Sequence, residues 1–400
     1  MMRKAERGGP LSGIRVLDLS AYIAGPYGCA LLADMGADVT KIEPPGGETF
    51  RNYPSTLADE ARGFVGVNRS KRALVLDLKQ KEGLEALDRL VETADVLVHN
   101  FRPSVPPRLR IDYPRLREIN PRLIYCGLTG YGDIGPLKDK AGYDQVLQAM
   151  TGIATFQGGA AQGGEGEPHV VLGSVVDYYA SSMLASGVSA ALYEREKTGL
   201  GQSLGVSLLR SALAMQSARM VWAQSEPREV GRDMRSGGIT GIHPTREGHL
   251  YISANTPHFW AALCELVGLE ELAANPAYDT VRKRAANADQ IVPRIRAALA
   301  HRTAFEWETL FAERVPCSAV RTVEDMFDHP QVTAQNLVVE LEHNRIGRYR
   351  GFAGAVGFGD RPAPEAFAAP ALGQDSEDLL TEAGYNTEQI EHLKSLGVLG

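Results

Sequence analysis

The chain has 400 residues, of which 44% are hydrophobic and 23% are charged, and these proportions are typical of a globular protein of one to three domains. They exclude a disordered chain, a fibre and a small disulfide-rich protein. The 42 basic and 49 acidic residues give a formal net charge of −7 without a long basic run, which argues against a binder of nucleic acid or of a membrane surface.

Strands alternate with helices in the first half of the chain. We predict strands over residues 14–19, 38–43, 72–78, 95–99 and 122–128. Helices are predicted from Gly25 to Gly36 and over residues 82–93 and 113–119. This alternation indicates an α/β fold with a parallel sheet joined by right-handed crossovers.

The second half of the chain has a different texture. Helices are predicted over 143–152, 178–196 and, as one long helix, 207–224, and a glycine-rich surface loop is predicted over 158–164. A glycine-rich polar stretch, 231–242, then precedes a strand over 249–253 and helices over 259–267, 285–302 and 304–313. We therefore predict a smaller second domain over 225–325, followed by two short helices within 376–400.

The cysteines and the N-terminal segment predict a cytoplasmic protein. The cysteines lie far apart without a CxxC pair, so we expect reduced thiols and no cysteine metal site. No apolar segment typical of a signal peptide follows MMRKAERGGP. The most apolar stretch, 170–193, carries Asp177 and several serines, and it predicts a buried helix rather than a membrane span.

The first strand–turn–helix unit resembles the start of a dinucleotide-binding fold. Its turn, residues 24–28, reads AGPYG rather than GxGxxG, and Pro26 removes an amide that a pyrophosphate needs. Glu43 ends the next strand, where a ribose-binding acid would stand. We expect no nicotinamide cofactor, while another adenine nucleotide remains open. The histidines also lack metal-ligand spacing, so we predict no metal site.

Asp177 has two interpretations. An aspartate at the start of a predicted helix is normally a cap for that helix. Alternatively, its carboxylate is a nucleophile held in an apolar pocket near a helix N-terminus.

Other candidates lie in loops. Residues 100–103 (NFRP) follow a strand end, where α/β sheets bind ligands, and Lys79, Arg102 and Arg108 are available there for phosphates. Residues 236–238 form either a flexible linker or a lid.

Taken together, the motifs are more specific than any one of them. In chain order they are LSGIRVLDLS, AGPYG, LADMGADVTKIEPPGG, NRSKRALVLDLK, ADVLVHNFRP, AGYDQVLQAMTG, Asp177 and ALYEREKTGLGQ. This ordered set resembles the class III CoA-transferase family, also called the CaiB/BaiF group, which includes formyl-CoA and carnitine CoA-transferases. The resemblance is dense from Leu11 to about Leu208, and it resumes at HPTREGHLYISA, DHPQV and LGQDSEDLL.

The resemblance implies a fold. It implies a large Rossmann-like parallel-sheet domain built from both chain ends, 1–224 and 326–400, with a smaller α/β domain, 225–325, inserted between them. It further implies a homodimer of two interlocked chains.

The resemblance also implies a mechanism in which Asp177 is the nucleophile. Its carboxylate attacks an acyl-CoA thioester to form an anhydride, and the CoA thiolate then converts this to an aspartyl-CoA thioester. An acceptor acid takes up CoA in turn, so the partners are an acyl-CoA and a small carboxylic acid, with no metal and no nicotinamide. Gly237 and Gly238 match a glycine loop that covers the site in the family.

Contacts to coenzyme A are implied for residues at several strand ends. They are Ile23, Ala24, Leu76, Lys79, Asn100, Phe101, Arg102, Arg108, Ala141, Tyr143 and Asp144. The sequence departs from the family at Pro44, where some members have a basic residue, and at Ser104, where the family has glycine. These departures put an adenosine contact at Pro44 and the loop conformation at Ser104 in question.

Two alternatives are retained. The related α-methylacyl-CoA racemases resemble AGHD where this chain has AGYD, and tyrosine, with an ordinary pKa near 10, is a poor base at neutral pH. The sequence therefore favours the transferase over the racemase, and a non-catalytic CoA-binding protein is the other alternative. Four residues are candidates for binding a second carboxylate of a dicarboxylic acid or are surface or interface charges: Arg219, Arg235, His243 and Arg246.

Overall fold

The computed structural model divides into two units, Met1–Val221 with Val332–Gly400, and Trp222–Gln331, which we call the large and the small unit. It describes residues 8–57, 60–157, 167–225, 238–359 and 363–400. The predicted loop over 158–164 and the candidates Arg235 and Gly237 lie outside the described residues, whereas Gly238 lies in the small unit.

The large unit contains a six-stranded sheet in the order β3-β2-β1-β4-β5-β6, and all its neighbouring strands are parallel. Its strands are β1 (Arg15–Asp18), β2 (Asp38–Glu43), β3 (Lys71–Val75), β4 (Val96–His99), β5 (Ile124–Thr129) and β6 (Ser203–Ser207). Val16 of β1 pairs with Val39 on one side and with Val96 on the other. The predicted α/β fold with a parallel sheet is confirmed. The strand order reverses between β1 and β4, where sheets of this kind bind ligands.

Helices connect these strands. In chain order they are α1 (Ala24–Asp34), α2 (Arg62–Val67), α3 (Lys81–Thr93), α4 (Val105–Leu109), α5 (Tyr113–Ile119), α6 (Asp144–Met150), α7 (Ile153–Gln157), α8 (Val175–Thr198) and α9 (Leu208–Ala214). In the described parts of the chain, no helix combines the length and the apolar character that a bilayer span needs.

The small unit has an antiparallel sheet in the order β7-β8-β9. Its elements are β7 (Gly241–Pro244), β8 (His249–Ile252), α10 (Pro257–Leu266), α11 (Glu270–Ala274), α12 (Val281–Ala286), α13 (Ala288–Leu299), α14 (Ala304–Phe311) and β9 (Cys317–Ala319). Trp260, Leu263, Ile291 and Phe311 belong to a buried core of its own. Short 3₁₀ helices are Thr49–Asn52 in the large unit, and Pro276–Tyr278, Ala312–Arg314 and Glu324–Asp328 in the small unit.

The last part of the chain begins with α15 (Pro330–Ala334) and the hairpin of β10 (Val338–His343) and β11 (Gly347–Phe352). It ends with α16 (Ser376–Glu382) and α17 (Thr387–Ser395).

The chain before α16 covers the outer edge of β3. The amide of Ala73 donates to Oδ2 of Asp375 (2.9 Å), and the amide of Asp375 donates back to the carbonyl oxygen of Ala73 (3.0 Å). The amide of Val75 donates to Oγ of Ser376 (3.2 Å). Because these bonds pair an edge that would otherwise be open, the C-terminal segment completes the sheet.

Both faces of the sheet are buried, which explains its continuous apolar strands. Val96 and Val98 point into the core with α1 and α8, whereas Leu97 between them points into the core with α3, α5, α16 and α17. The period-two alternation of strand side chains therefore separates the two cores.

Helices α1 and α8 approach each other closely at Gly28. A Cβ atom at Gly28 would lie 3.0 Å from Cδ2 of Leu184 and 3.2 Å from the carbonyl oxygen of Ser181. One turn away, Oγ of Ser181 donates to the carbonyl oxygen of Ala24 (2.8 Å). Glycine therefore sets the distance between the two helices.

The predicted long helix over residues 207–224 is wrong. Helix α9 ends at Ala214, and the chain continues in turns. Beyond it, Met220, Val221 and Trp222 are 59%, 68% and 55% exposed. A helix in a protein is stabilised mainly by burying an apolar face, and these exposed side chains bury no such face that would extend α9. The predicted helix over 285–302 is likewise interrupted, at Asn287 between α12 and α13.

We expect Gly28→Ala to lower the free energy of unfolding by about 1–3 kcal/mol, because the added methyl group overpacks the contact with Leu184. The matched control is Gly66→Ala in α2, where an added Cβ has no atom within 4 Å. The control is expected to be neutral or to gain up to about 1 kcal/mol from helix propensity. Urea unfolding measures both, and equal changes in the two variants would contradict the close contact.

Candidate functional site

The loops that follow β1 and β4 are joined by Asn100. The amide of Ala21 donates to Oδ1 of Asn100 (3.0 Å), and Nδ2 of Asn100 donates to the carbonyl oxygen of Ala21 (2.8 Å). The side-chain amide thus pairs with the backbone as another peptide group would. It fixes the two loops at the point where the strand order reverses.

Tyr22 holds the next position of the β1–α1 loop in a left-handed conformation, with φ 68°. Such a conformation is strained for a bulky residue and persists only where its surroundings enforce it. Here the amide of Tyr22 donates to Oε2 of Glu48 (2.7 Å). Its ring meets the ring of Tyr143 edge-on, with centroids 5.9 Å apart, and burial together with Tyr143 raises the pKa of Tyr22.

Two buried lysines bind backbone carbonyl groups in this loop and in the first turn of α1. Nζ of Lys71 donates to Oδ2 of Asp18 (2.8 Å) and to the carbonyl oxygen of Pro26 (2.7 Å), while Nζ of Lys41 donates to the carbonyl oxygen of Ser20. Asp18, Lys41 and Lys71 are all fully buried. Burial alone raises the pKa of Asp18, but the two ammonium groups outweigh it and lower the pKa to about 2.

Asp177 is the third residue of α8, and its position relative to the β1–α1 loop is set by Ser181. Oγ of Ser181 lies 2.8 Å from the carbonyl oxygen of Ala24 and 2.9 Å from that of Asp177. The start of α8 and the start of α1 are therefore tied through one hydroxyl group.

The structure shows which carboxylate binds the first amides of α8. Oδ2 of Asp144 accepts hydrogen bonds from the amides of Val176 (2.6 Å) and Asp177 (3.0 Å), while Ser174, at the cap position, makes no side-chain cap bond. Within the described ranges, the carboxylate of Asp177 itself accepts no hydrogen bond. The capping function thus belongs to Asp144, and the carboxylate of Asp177 is left available for chemistry.

The environment of Asp177 makes its carboxylate unusually basic. Burial and the neighbouring charge of Asp144 raise its pKa to about 7. A carboxylate of this kind is about half ionised at neutral pH, and it is a better nucleophile than an exposed one.

The segment before α6 reaches the end of β5 because two glycines touch. A Cβ atom at Gly130 would lie 2.7 Å from Cα of Gly142, and one at Gly142 would lie 2.6 Å from Cα of Gly130. This contact places half-buried Ala141, exposed Tyr143 and buried Asp144. Sequence reasoning missed Gly130, as well as Ser181 and Gln148, although the last two lie one helical turn after Asp177 and Asp144.

The remaining predicted residues for coenzyme A lie at strand ends, as expected from their motifs. Ile23 and Ala24 begin α1, and buried Leu76 follows β3. Phe101, after β4, stacks on His99 with centroids 5.6 Å apart. The three basic side chains are exposed and form no ion pair with any described residue: Lys79, Arg102 and Arg108.

Phe101 also lines a cavity of about 320 Å³. Its walls include His99, Tyr113, Tyr125 and Arg210, but not Asp177. Burial lowers the pKa of His99 to about 4, so this imidazole is neutral at physiological pH.

The three described candidates for a second carboxylate are engaged within their own units. In the large unit, the guanidinium of Arg219 lies 3.4 Å from the ring centre of Phe156. In the small unit, His243 is fully buried, with Nε2 3.0 Å from the carbonyl oxygen of Ile239, and Arg246 pairs with Glu306 (2.9 Å).

Comparisons with known proteins match this chain to CoA-transferases and to a CaiB/BaiF family structure. Residues 11–376 match the model of CoA-transferase family III. An acetyl-CoA:oxalate CoA-transferase of Acetobacter aceti is 34% identical over 83% of this chain and 86% of its own. A succinyl-CoA:mesaconate CoA-transferase of Haloarcula marismortui is 35% identical over 95% of this chain and 98% of its own. The crystal structure of a CaiB/BaiF family protein from Brucella suis superposes with a TM-score of 0.80, at 27% identity, over 94% of this chain and 99% of that one. The resemblance inferred from the motifs is confirmed.

We expect Asp18→Asn to lower the free energy of unfolding by about 3–5 kcal/mol, because it removes the carboxylate that pairs with the fully buried ammonium group of Lys71 (2.8 Å). Urea unfolding at neutral pH measures the loss. The control is Glu85→Gln, which breaks the exposed pair with Lys81 (3.2 Å) and is expected to change stability by less than about 0.5 kcal/mol.

The same carboxylate predicts a pH dependence. Because folding lowers the pKa of Asp18 from 3.8 to about 2, its stabilisation is present above about pH 4 and is lost as the pH falls through 2. The stability difference between the wild type and Asp18→Asn should therefore shrink over that interval. A difference independent of pH would contradict the ionised state of Asp18.

Proposed function

We propose that this chain, which belongs to CoA-transferase family III, moves coenzyme A from an acyl-CoA to a carboxylic acid through covalent intermediates on Asp177. The observation that carries the role of Asp177 is its free carboxylate. It is half-buried at the start of α8, where Asp144 has already capped the helix. The family membership indicates the class of reaction, and this geometry supports the assignment of Asp177 as the nucleophile.

The reaction begins with attack on the donor thioester. An oxygen of Asp177 adds to the thioester carbonyl carbon, and the carbon–sulfur bond breaks. The CoA thiolate leaves, and a mixed anhydride of Asp177 and the donor acid remains. The thiolate then adds to the carbonyl carbon of Asp177 and expels the donor acid as its carboxylate. Asp177 now holds coenzyme A as an aspartyl thioester, and no proton has been gained or lost.

The second half of the reaction reverses these steps with another acid. The acceptor carboxylate attacks the aspartyl thioester, which releases the thiolate and forms a second anhydride. The thiolate attacks the acceptor's carbonyl carbon, which yields the new acyl-CoA and regenerates the carboxylate of Asp177. Covalent catalysis divides one difficult exchange into steps of similar energy.

The surroundings of Asp177 suit these steps. Burial limits the access of water, which would hydrolyse an anhydride or a thioester. The raised pKa of Asp177 makes its carboxylate a stronger nucleophile, while the positive end of the α8 dipole favours the anion that each cycle regenerates.

Coenzyme A would lie along the strand ends that lead to Asp177. The loops joined by Asn100 present backbone groups near Ile23 and Ala24. Lys79, Arg102 and Arg108 present exposed positive charges for the phosphates. The rings of Tyr22 and Tyr143 contact each other, and the acyl group would bind beside this pair.

The test of this mechanism is Asp177→Asn, which keeps the shape of the side chain and removes its negative charge. We expect CoA exchange to fall at least about 10³-fold, because an amide does not replace a carboxylate nucleophile. Wild-type enzyme incubated with acyl-CoA and hydroxylamine should yield a hydroxamate at Asp177, read by peptide mass spectrometry. Glu196→Gln, an exposed change near the other end of α8, is the control and should retain full activity. Normal turnover of Asp177→Asn would refute the assignment.

We infer that the acceptor is a dicarboxylic acid. The support is that the Acetobacter and Haloarcula relatives are named for oxalate and mesaconate, which are both dicarboxylates. A matrix of acyl-CoA donors against mono- and dicarboxylic acids, read by mass spectrometry for new CoA esters, tests it. We expect kcat/KM for the best dicarboxylate to exceed that for a monocarboxylate of equal length by about tenfold or more, as one charge-assisted contact would give. Equal values would contradict the inference.

A further inference from the structure

We propose that Asp144 and Gln148 form a clamp that positions Asp177 from outside its own helix and sets the pH range in which it reacts. We call these two residues the α6 clamp. The proposal rests on the proposed role of Asp177 as the nucleophile. It makes Asp144 a positioning residue, rather than the contact to coenzyme A that the resemblance implied.

The first element of the argument is the unusual start of α8. Ser174 precedes the helix in a left-handed conformation, with φ 60° and ψ 48°, and its side chain caps no amide. The first amides of a helix have no partner within the helix and need an acceptor from elsewhere. Oδ2 of Asp144 accepts from two of them, at Val176 (2.6 Å) and Asp177 (3.0 Å).

The second element is the immobility of the clamp. Nε2 of Gln148 donates to Oδ1 of Asp144, so both oxygens of this carboxylate are engaged. The same amide group of Gln148 donates to the carbonyl oxygen of Val171 (2.9 Å), and its Oε1 accepts from the amide of Val171 (2.7 Å). Asp144 is 2% exposed and Gln148 is fully buried. The clamp therefore holds α6, the start of α8 and the chain just before α8 together.

The third element is the carboxylate of Asp177, which the clamp does not bind. An acidic residue in the first turn of a helix ordinarily turns back to bind the free amides there. At the start of α8 two of those amides already donate to Asp144, and the carboxylate of Asp177 has no hydrogen-bond donor among the residues that the structure describes. The clamp thus frees the nucleophile, since a carboxylate tied to backbone amides would be a weaker one.

The fourth element is the charge of the clamp. Burial and the charge of Asp144 on α6 together raise the pKa of Asp177 to about 7. The next residue of α8 is Tyr178, and its ring contacts the ring of Tyr27 on α1, with centroids 4.8 Å apart. Arg69 faces Tyr178, where its charge acts against the raised pKa of that phenol. Asp144 is therefore the neighbouring charge that keeps Asp177 basic.

Asp144→Asn tests the clamp, because it keeps an oxygen for the amides and removes the negative charge. We expect the rising limb of kcat/KM against pH, measured with succinyl-CoA and the best acceptor of the matrix, to move to lower pH by about one unit. A purely structural role would reduce stability or turnover without moving that limb. Glu196→Gln removes a charge from the far end of α8 and should leave the limb in place.

A folded Asp144→Asn enzyme whose pH profile coincides with that of the wild type would overturn the proposal. If this variant does not fold, Gln148→Met provides the test, because it removes the donor to Asp144 and retains the size of the side chain. Here kcat should fall about tenfold or more, with the KM for acyl-CoA within twofold, since misplacement affects the reacting carboxylate and not binding. An unchanged kcat would overturn it as well.

The two proposals fail in different ways. If Asp177→Asn retains turnover and no hydroxamate forms, the proposed function fails. If Asp177→Asn is inactive and the hydroxamate forms, but Asp144→Asn keeps the wild-type pH profile, only the clamp fails.

Discussion

The close approach of α1 and α8 is the constraint on which the candidate site depends. The two helices meet at Gly28, where a side chain would collide with Leu184 and with the backbone at Ser181. Helix α1 begins at the end of the loop that we expect to bind coenzyme A, and the proposed nucleophile lies in the first turn of α8. The absence of a side chain at Gly28 therefore sets the distance between the β1–α1 loop and Asp177, since a larger residue would move the start of one helix relative to the other.

Two aspartates of the large unit show how position decides the character of a carboxylate. Asp18 is fully buried, and the charges of Lys41 and Lys71 keep its pKa low. It accepts from the amide of Ser20 in the β1–α1 loop and from Nζ of Lys71, which also donates to Pro26 in α1. At Asp177, burial raises the pKa of the carboxyl group, and the neighbouring acid Asp144 raises it further instead of opposing the effect of burial. The charge of the neighbouring group, rather than burial alone, separates a structural carboxylate from a reactive one.

Sequence reasoning predicted the parallel sheet and singled out Asp177, because strand alternation and motif order are local signals. It could not assign the cap of α8 to Asp144, since that contact joins residues 33 positions apart that no local pattern links. The helix over 207–224 failed for the opposite reason: its local pattern suited a helix, but Met220 and Val221 are exposed and bury no apolar face there. The interlocked homodimer and the glycine lid stay predictions.

The pairing of β3 with the segment around Asp375 has a consequence for biosynthesis. Asp375 leaves the ribosome 302 residues after Ala73, its hydrogen-bond partner. The nascent large unit therefore presents an open strand edge through most of translation, and open edges recruit other chains. The small unit is one continuous segment, Trp222–Gln331, and it emerges complete while this edge still waits. A chain that ends before Asp375 would therefore keep the outer edge of β3 without these hydrogen bonds and open to pairing with another strand.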